Sequence, residues 1–452
     1  MKALPFLRRF LPLAMAFLVS CSLAPQSDYT ARTLQDIKEV SEWQLPDGAR
    51  SITFLNQLIS SPQLDELLAE SLSANPGLQQ ALLTLRIVQA EHQQVTAERL
   101  PQADAGFSAG REEGGNSSYT GALTISWELD LWRKLADADS AAAMDVAEQQ
   151  SLLRSARDVL AAEVMKSWLL LIADKHAIDI EKRRLATLQQ NEQFILQRYR
   201  NGIGALEDLD TARSSTASSR ATLEGYTELL AQQQRSLQTM LGRIARSTVE
   251  VPADYPQVNI PLTDLPEQTL QRRPDLQAAY FAIDAAGLRT SVAYKDLLPS
   301  INLKAVLEDI AESPRAALFA DPIWSLLGQL TAPLYQGGRL KAAAEVAELE
   351  TARLYQIYRE TLLTAVNEVE DALGREESLA RQQAHLESAL ASADNTLVNY
   401  QDSYRTGLAT ILDLLSVQQQ TYDLETQLDT LYYERLTNRI DLGLALGLGV
   451  YQ

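Results

Sequence analysis

The segment Gln197–Leu209, with the sequence QRYRNGIGALEDL, returns about 205 residues later as Asp402–Leu414, with the sequence DSYRTGLATILDL. A tyrosine, an arginine, a glycine and a leucine recur at equivalent positions, and the offset keeps matching from Glu163 to Gly242 without an insertion or deletion. An internal repeat of this length indicates that the fold itself is built from two equivalent parts. The constant spacing predicts two rigid rods of equal length, so the chain is predicted to be a duplication.

The two copies also match upstream of the rods, with a slightly shorter offset of about 198 residues. The sequence NPGLQ at 75–79 corresponds to RPDLQ at 273–277, and Leu100-Pro101 corresponds to Leu298-Pro299. The change of offset must be absorbed in a loop, where chain length varies without disturbing packing. Each copy is therefore predicted to combine one variable loop with one invariant rod.

Composition and charge restrict the classes of function. The chain is rich in Ala, Leu, Gln and Glu and has only three histidines, which favours long helices. The formal net charge is −19, and it becomes −22 when the leader cations Lys2, Arg8 and Arg9 are removed. Nucleic-acid binding needs a basic surface, so this charge argues against it, and it also disfavours an anionic substrate held by bulk charge.

The N-terminus has the pattern of an export signal. Basic residues precede an apolar run at 10–19, which is too short to span a membrane, and Cys21 follows as the only cysteine. The tetrapeptide Leu18–Cys21 resembles the bacterial lipobox, in which the cysteine becomes the lipidated first residue of the mature protein. We therefore predict a lipoprotein signal peptide at 1–20 and a lipid on Cys21, with an ordinary signal peptide and a chance cysteine as the alternative. By resemblance to enterobacterial lipoproteins, Ser22 favours the outer membrane.

The following segment, 22–73, is interpreted as an N-terminal periplasmic, equatorial segment. Residues 22–49 are polar and have no sustained period, which indicates a tether or an extended wrap. Apolar residues at helical spacing predict a helix over Pro62–Ala74, and a second helix is predicted from Leu78 to Arg99.

After Pro101 and again after Pro299, apolar and polar residues alternate, which predicts a strand hairpin in each copy, at about 101–131 and 299–334. Each strand has about 10 residues, the length that crosses a bilayer when tilted. Aromatic residues lie near the strand ends, where an interfacial girdle would be: Tyr119, Trp132, Trp324 and Tyr335. We therefore predict transmembrane strands, with a soluble sheet packed on helices as the alternative.

Four strands cannot close a barrel, and open sheet edges are not tolerated in lipid because their backbone groups find no water. A membrane-spanning chain must therefore oligomerise. The smallest closed barrels have about eight strands, so a dimer is possible in principle and a trimer would supply twelve.

Each strand hairpin is followed by a predicted helical hairpin, at about 133–242 and 338–447. Leu135–Arg200 contains no glycine or proline, and a helix of that length would extend about 100 Å. Its apolar residues recur in sevens, so the helix needs partners along its whole length. Gly202 and Gly407 are predicted to end the first helix of each hairpin. The structural repeats then have these bounds: 74–250 and 261–452.

Three long motifs and a doubled turn complete the pattern. They are SPQLDELLAESLSANPGLQQA at Ser61–Ala81, LQRRPDLQAA at Leu270–Ala279, APLYQGGRLKAA at Ala332–Ala343 and the repeated YRxG turn. Together they resemble the outer membrane factor family, the TolC-like channels of tripartite efflux pumps, and in particular its lipoprotein branch of the NodT type. The resemblance covers nearly the whole chain. The sequence departs from the family pattern at Leu131–Lys134, which lacks the glycine usually found after the aromatic residue.

The resemblance implies a homotrimer in which four strands per chain form a twelve-stranded outer-membrane barrel that continues into a twelve-helix periplasmic tunnel. The expected fold class is therefore mainly α with a transmembrane β-barrel part. It also implies docking to a periplasmic adaptor (membrane fusion) protein and an inner-membrane pump, and export of small molecules such as drugs, toxic compounds or metal ions. Two alternatives stay open: the outer-membrane channel of a type I protein secretion system, and a lipid-anchored periplasmic coiled-coil scaffold.

The same resemblance places a narrow gate at the two helix turns, where rings of acidic and apolar side chains close family channels. Asp208 and Asp413 match acidic positions of that motif, Asp210 adds another carboxylate, and Ser416 stands where many members have an acid. Threefold symmetry would bring each acid close to its copies and make repulsion available as an opening force. The alternative is that these acids are solvated first-turn residues favoured by the helix dipole.

No enzymatic pattern is found in the sequence. His92, His176 and His385 lie at unrelated positions on predicted helices and are expected to be surface residues. No metal-ligand spacing or phosphate-binding glycine loop occurs. We therefore predict no catalytic residue, no metal and no cofactor beyond the covalent lipid on Cys21.

Overall fold

The computed structural model describes residues 28–40, 43, 49–50, 52–111, 113–114, 116–245, 247–261 and 266–451. The predicted signal peptide 1–20 and the lipidation site Cys21 lie outside these residues. Within them the fold is mainly helical with one small antiparallel sheet, which confirms the expected fold class at this level.

From Pro62 onward, the described helices and strands occur twice in the same order. The helices are α1 (Tyr29–Lys38), α2 (Pro62–Ala74), α3 (Pro76–Ala97), α4 (Lys134–Arg200), α5 (Leu206–Met240), α6 (Pro266–Arg272), α7 (Pro274–Lys295), α8 (Arg339–Arg405) and α9 (Ile411–Ala445). The strands are β1 (Gln102–Arg111), β2 (Ser117–Leu129), β3 (Ser300–Ala311) and β4 (Ile323–Thr331), and a 3₁₀ turn lies at Leu55–Leu58. Helices α3 and α7 each have 22 residues, α4 and α8 each have 67, and α5 and α9 each have 35. Helices of equal length at the predicted offsets are what the duplication requires.

Helix α1 corrects the prediction that residues 22–49 form a tether or an extended wrap. Thr33 and Ile37 are buried, and Tyr29 stacks on Tyr355 with ring centroids 5.0 Å apart. Tyr29, Thr33 and Ile37 are spaced by four, so they share one helix face. This short helix is amphipathic, so its helical spacing was already a signal within an otherwise polar segment.

The chain divides into two compact units. The first comprises residues 1–36, 83–151 and 275–361, and the second comprises residues 37–82, 152–274 and 362–452. The first unit contains the sheet, and the second contains the turns between the long helices. Among the described residues, no helix combines the length and the apolar character needed to cross a membrane.

The sheet of the first unit has the strand order β1-β2-β3-β4, and each neighbouring pair is antiparallel. Residues directly opposite each other in such pairs lie on the same face. One cross-strand row is apolar throughout: Ala103, Ile125, Ala305 and Leu326. The next row lies on the other face and is mostly polar: Gln102, Ser126, Lys304 and Leu327. The sheet therefore has one apolar face and one mostly polar face, and all four strands lie within the ranges given above for the strand hairpins.

The core of the second unit lies where the long helices pack around the 3₁₀ turn. Its buried members include Leu55, Leu58, Trp168, Ile440 and Leu442. Val164, Leu171 and Ile178 are also buried. These three residues belong to the positions that recur in sevens along α4, which confirms that this stripe of the helix faces partners.

A buried acid connects α8 and α9 in the second unit. Glu376 is 2% exposed, and its Oε1 accepts hydrogen bonds from Arg435 Nε at 3.0 Å and from Arg439 Nη2 at 2.8 Å. Arg439 Nη1 also donates to the Val258 carbonyl at 2.6 Å. This network therefore ties the two helices to the segment that links the copies.

Candidate functional site

The turns after α4 and α8 end in the same backbone motif. The Ile203 N–H donates to the Arg198 carbonyl at 3.1 Å, and the Gly202 N–H donates to the Tyr199 carbonyl at 2.9 Å. The same two bonds recur around Gly407. This is the Schellman motif, in which the residue after the helix adopts a left-handed conformation. The two glycines have φ angles of 73° and 78°, which explains why glycine stands at both turns.

An apolar cluster in the second unit brings the two turns together. Its buried members are Ile195, Leu209, Ala212, Ile411, Leu414 and Leu415. Phe194 packs edge-on against Tyr404 with ring centroids 5.9 Å apart, and Arg198 Nη1 donates to the Tyr404 hydroxyl at 3.4 Å. Asp208 and Asp413 each precede a leucine of this cluster, so both acids are held at equivalent positions beside one shared core.

Asp208 and Asp413 nevertheless have different surroundings. The Asp413 carboxylate accepts the Thr410 hydroxyl at 2.6 Å and the Thr410 N–H at 2.9 Å, and these hydrogen bonds lower the pKa of Asp413. The equivalent helix in the first copy begins after Ala205, which has no hydroxyl with which to build this capping box. Within the described part of the chain, the Asp208 carboxylate has no hydrogen-bond or ion-pair partner. The Asp413 carboxylate is therefore fixed by its cap, whereas that of Asp208 is free to turn.

Asp210 is exposed and lies near a cation. Its Oδ1 is 3.8 Å from Arg213 Nη1, and Arg213 Nε is 3.9 Å from Glu192 Oε1. Arg213 offsets part of the negative charge of Asp210. Of the three candidate gate acids, Asp208 and Asp413 therefore contribute more of the unbalanced charge at the turns.

Apolar side chains at the turns were not among the predicted site residues. Ile203 and Leu408 occupy equivalent positions in the two copies and are 65% and 84% exposed. In a Schellman motif a hydrophobic residue at this position frequently packs against its own helix. Here both side chains are exposed instead, so each copy carries an uncovered apolar residue directly after its turn glycine. The repeat already contains the signal, because an apolar residue follows the turn glycine each time.

His176 corrects the expectation that the histidines are surface residues. It is half-buried, with Nδ1 2.7 Å from Asp429 Oδ1 and Nε2 2.5 Å from the Ala253 carbonyl oxygen. Burial lowers the pKa of His176, but the hydrogen bonds to Ala253 and Asp429 outweigh it, so the pKa lies above its ordinary value. His176 thus fastens the linking segment to the long helices. His385 is exposed as expected, and His92 is half-buried.

The described residues contain no group of three or more His, Cys, Asp or Glu side chains that could hold a metal ion. The site is instead a pair of acidic and apolar turns that follow two long helices, and the chain also contains one small antiparallel sheet among its described residues. This combination defines a TolC-like channel. The family model for outer membrane efflux proteins matches residues 67–243 and 265–448, and the chain belongs to the outer membrane efflux protein family.

Individual relatives match over nearly their full lengths. The pyoverdine export outer membrane protein OpmQ of Pseudomonas putida is 26% identical over 461 residues, which cover 97% of this chain and 96% of that protein. The cation efflux system protein CusC of Escherichia coli K12 is 26% identical over 455 residues, which cover 98% of this chain and 99% of CusC. The open state of the MtrE outer membrane channel of Neisseria gonorrhoeae has the same fold, with a TM-score of 0.81 at 23% identity over 90% of this chain and 95% of MtrE.

Proposed function

We propose that the protein is the outer-membrane channel of a tripartite efflux system, and that three copies close a twelve-stranded barrel and a twelve-helix periplasmic tunnel. The observation that carries this proposal is the exposed apolar face of the sheet. Ile125, Trp324 and Leu326 are 43%, 75% and 69% exposed on that face. A soluble sheet packed on helices would bury its apolar face, whereas a membrane barrel presents it to lipid.

The edges of the sheet support oligomerisation. Among the described residues, β1 and β4 each pair with one neighbour only. Unpaired edge groups are not tolerated in the hydrocarbon of a bilayer, so further strands must pair with β1 and β4. In the proposed trimer, the repeats 74–250 and 261–452 each supply one strand hairpin and one helical hairpin, and 22–73 is the periplasmic, equatorial segment.

Aromatic side chains stand at both ends of the sheet, as in the girdles of membrane barrels. Three lie on the apolar face, at the end of the sheet where loops connect β1 to β2 and β3 to β4: Phe107, Tyr119 and Trp324. At the helix end, the indole N–H groups of Trp127 and Trp132 donate to the backbone carbonyls of Arg99 and Pro299, at 3.0 and 2.6 Å. From Tyr119 to Trp127, β2 extends about 27 Å along the strand, which at a tilt of about 40° covers about 20 Å of an apolar band about 25 Å tall.

The proposed partners are a periplasmic adaptor protein and, through it, an inner-membrane pump. The exposed Ile203 and Leu408 support docking at the helix turns, because exposed apolar groups at a tip are stabilised when a partner covers them. The proposed cargo is a small molecule such as a drug, a toxic compound or a metal ion. Selection of the cargo is assigned to the pump, because relatives of equal similarity are named for pyoverdine export and for cation efflux. We assign the channel no catalytic residue and no cofactor.

The acidic turns provide the test of channel function. We propose that Asp208 and Asp413 of three chains form a constriction that binds cations, because close carboxylates focus the electric field. Asp208→Asn together with Asp413→Asn should change single-channel conductance in planar bilayers, reduce cation preference and weaken block by trivalent cations. The asparagine oxygen at 413 still accepts the Thr410 hydrogen bonds, so trimer stability should change by less than about 1 kcal/mol.

Two control variants sharpen this measurement. Asp210→Asn removes one negative charge from the same turn and leaves the two equivalent acids in place, so it should change conductance less than the double variant does. Lys304→Gln changes a charge on the polar face of the sheet, where the proposed lumen is wide. If Lys304→Gln alters conductance while the double turn variant behaves like the unsubstituted channel, the acids do not form the narrowest point.

A lipid on Cys21 is the second anchor that we propose. Cys21→Ala should leave a trimer that is matured and retained in the outer membrane less efficiently, because acyl chains add to a membrane affinity that the barrel mainly supplies. Membrane fractionation with detection of the trimer measures this. A Cys21→Ser variant should behave like Cys21→Ala, and complete release of either variant into the soluble periplasmic fraction would contradict the transmembrane strands.

A further inference from the structure

The loop between β3 and β4, residues 312–322, folds back over the apolar face of the sheet. Gly121 lies on that face, and a Cβ atom added to it would be 2.2 Å from the Ala317 carbonyl oxygen. Ala317 is fully buried by this contact with the strand. The loop therefore packs directly on β2, and glycine is needed at 121 to allow the approach.

A second contact fixes the same loop from its other end. Asp309 pairs with Gly121 in the sheet and so belongs to the apolar face. Its Oδ2 accepts the Asp321 N–H at 3.0 Å, and Asp309 is 5% exposed. An uncovered carboxylate on a lipid-facing surface is strongly unfavourable, so the loop both shields this acid and is held by it.

Between these two contacts, the loop presents apolar side chains outward. Leu318 and Phe319 are 64% and 42% exposed. Phe319 has a φ of 59°, a conformation that bulky residues rarely adopt. A strained residue persists only where the surrounding structure holds it, and here that strain turns a large apolar side chain outward.

The surroundings of the loop point to one occupant. Trp324, Phe107 and Tyr119 lie on the same face at the same end of the sheet, and the rings of Phe107 and Tyr119 stack with centroids 6.3 Å apart. The loop thus extends an aromatic group that already borders the exposed apolar face. Aromatic and apolar side chains in this position are stabilised at the boundary between lipid headgroups and acyl chains.

We propose that the 312–322 loop is an interfacial anchor whose Leu318 and Phe319 side chains insert into the outer leaflet of the outer membrane, at the sheet end away from the helices. The inference rests on the proposed function, because it needs the apolar face to contact lipid. It assigns this loop to the outside of the barrel wall instead of to the channel mouth.

Site-directed spin labelling tests the position of the loop. Phe319→Cys, Leu326→Cys and Ser325→Cys are labelled with a nitroxide and reconstituted as trimers into phosphatidylcholine nanodiscs, and the unsubstituted chain reports any label on Cys21. Collision with oxygen, which concentrates in lipid, is compared with collision with a water-soluble nickel chelate. The ratio of oxygen to nickel accessibility at 319 should be several-fold higher than at 325 and lower than at 326, as expected for a shallow lipid depth. Leu318→Cys replaces Phe319→Cys if the latter fails to assemble.

The outcomes separate the two proposals. A lipid value at 326 with a water value at 319 overturns the interfacial anchor and leaves the transmembrane sheet standing. Water values at both 326 and 319 overturn the lipid-facing sheet and the anchor with it. In a second arm, Gly121→Val should push the loop away and lower the ratio at 319 towards that at 325, without changing the ratio at 326. An unchanged 319 value in the Gly121→Val trimer contradicts the packing that carries the inference.

Discussion

Lysine at Ile125 or at Leu326 should prevent most of the protein from reaching an assembled, heat-modifiable trimer. Both residues belong to the apolar row that crosses the sheet, and both are exposed on that face. A lysine on the lipid side near the middle of the bilayer costs about 2–4 kcal/mol per site, and a trimer carries three copies of each substitution. The fraction of trimer in detergent extracts, measured on gels with and without heating, reports the effect.

The matched control is Thr124→Lys, one residue away on the same strand. Thr124 lies on the opposite face and is paired with Asp104, so a lysine there gains an acidic neighbour. Ser126 is a poorer control because it is paired with Lys304, where a second lysine would be repelled. Thr124→Lys should assemble like the unsubstituted chain. Equal losses of trimer at 124 and 125 would contradict the assignment of the two faces.

Removal of Arg439 should give a large loss of stability in the helical part of the protein. Arg439→Ala leaves the buried Glu376 carboxylate with Arg435 alone and leaves the Val258 carbonyl without this donor. Breaking a buried ion pair by removing one partner costs about 3–5 kcal/mol. Because Arg435 still pairs with Glu376, we expect a loss near the lower end of this range. Chemical denaturation of the trimer, followed by the helical circular dichroism signal, should show the midpoint shifted to lower denaturant.

A pair on α8, the helix that carries Glu376, provides the control. Glu377 forms an ion pair with Arg381, and both side chains are exposed. Arg381→Ala should therefore change stability by less than about 1 kcal/mol. The double variant Arg439→Ala with Glu376→Gln separates two causes. Recovery of part of the stability assigns the loss to the orphaned charge, and no recovery would assign it to lost packing around the arginine side chain.

Much of the fold follows from local patterns in the sequence. The long helices, the strand hairpins and their apolar face were predictable because apolar residues recur every seven residues in the helices and every two residues in the strands. The turn glycines were predictable for a similar reason, since a left-handed residue after a helix is commonly glycine. The duplication doubled each of these signals, so an ambiguous element in one copy could be compared with its counterpart.

The features that were missed depend on residues far apart in the chain. His176 and Asp429 meet across a separation of 253 residues, and no local pattern marks either one as a partner. The packing of the 312–322 loop on the sheet depends on Gly121 in β2. Nothing in the sequence around Gly121 marks it as the contact point of a distant loop. The different caps of the two acidic turns follow from one substitution, alanine at 205 against threonine at 410. The sequence shows this difference, but its effect on the two acids follows from the hydrogen bonds between Thr410 and Asp413.

The matched helix lengths of the two copies restrict which insertions and deletions the long helices can accept. An insertion of one residue in α4 alone would rotate everything beyond it by about 100° and displace it by about 1.5 Å, so the turn would leave the register shared with its counterpart after α8. A length change is therefore tolerated only when α4, α5, α8 and α9 change together, and by about seven residues, which restore the same face after two turns. Viable length variants should thus arise by coordinated steps in both halves of the chain, whereas the loop between β1 and β2 can change by one residue at a time.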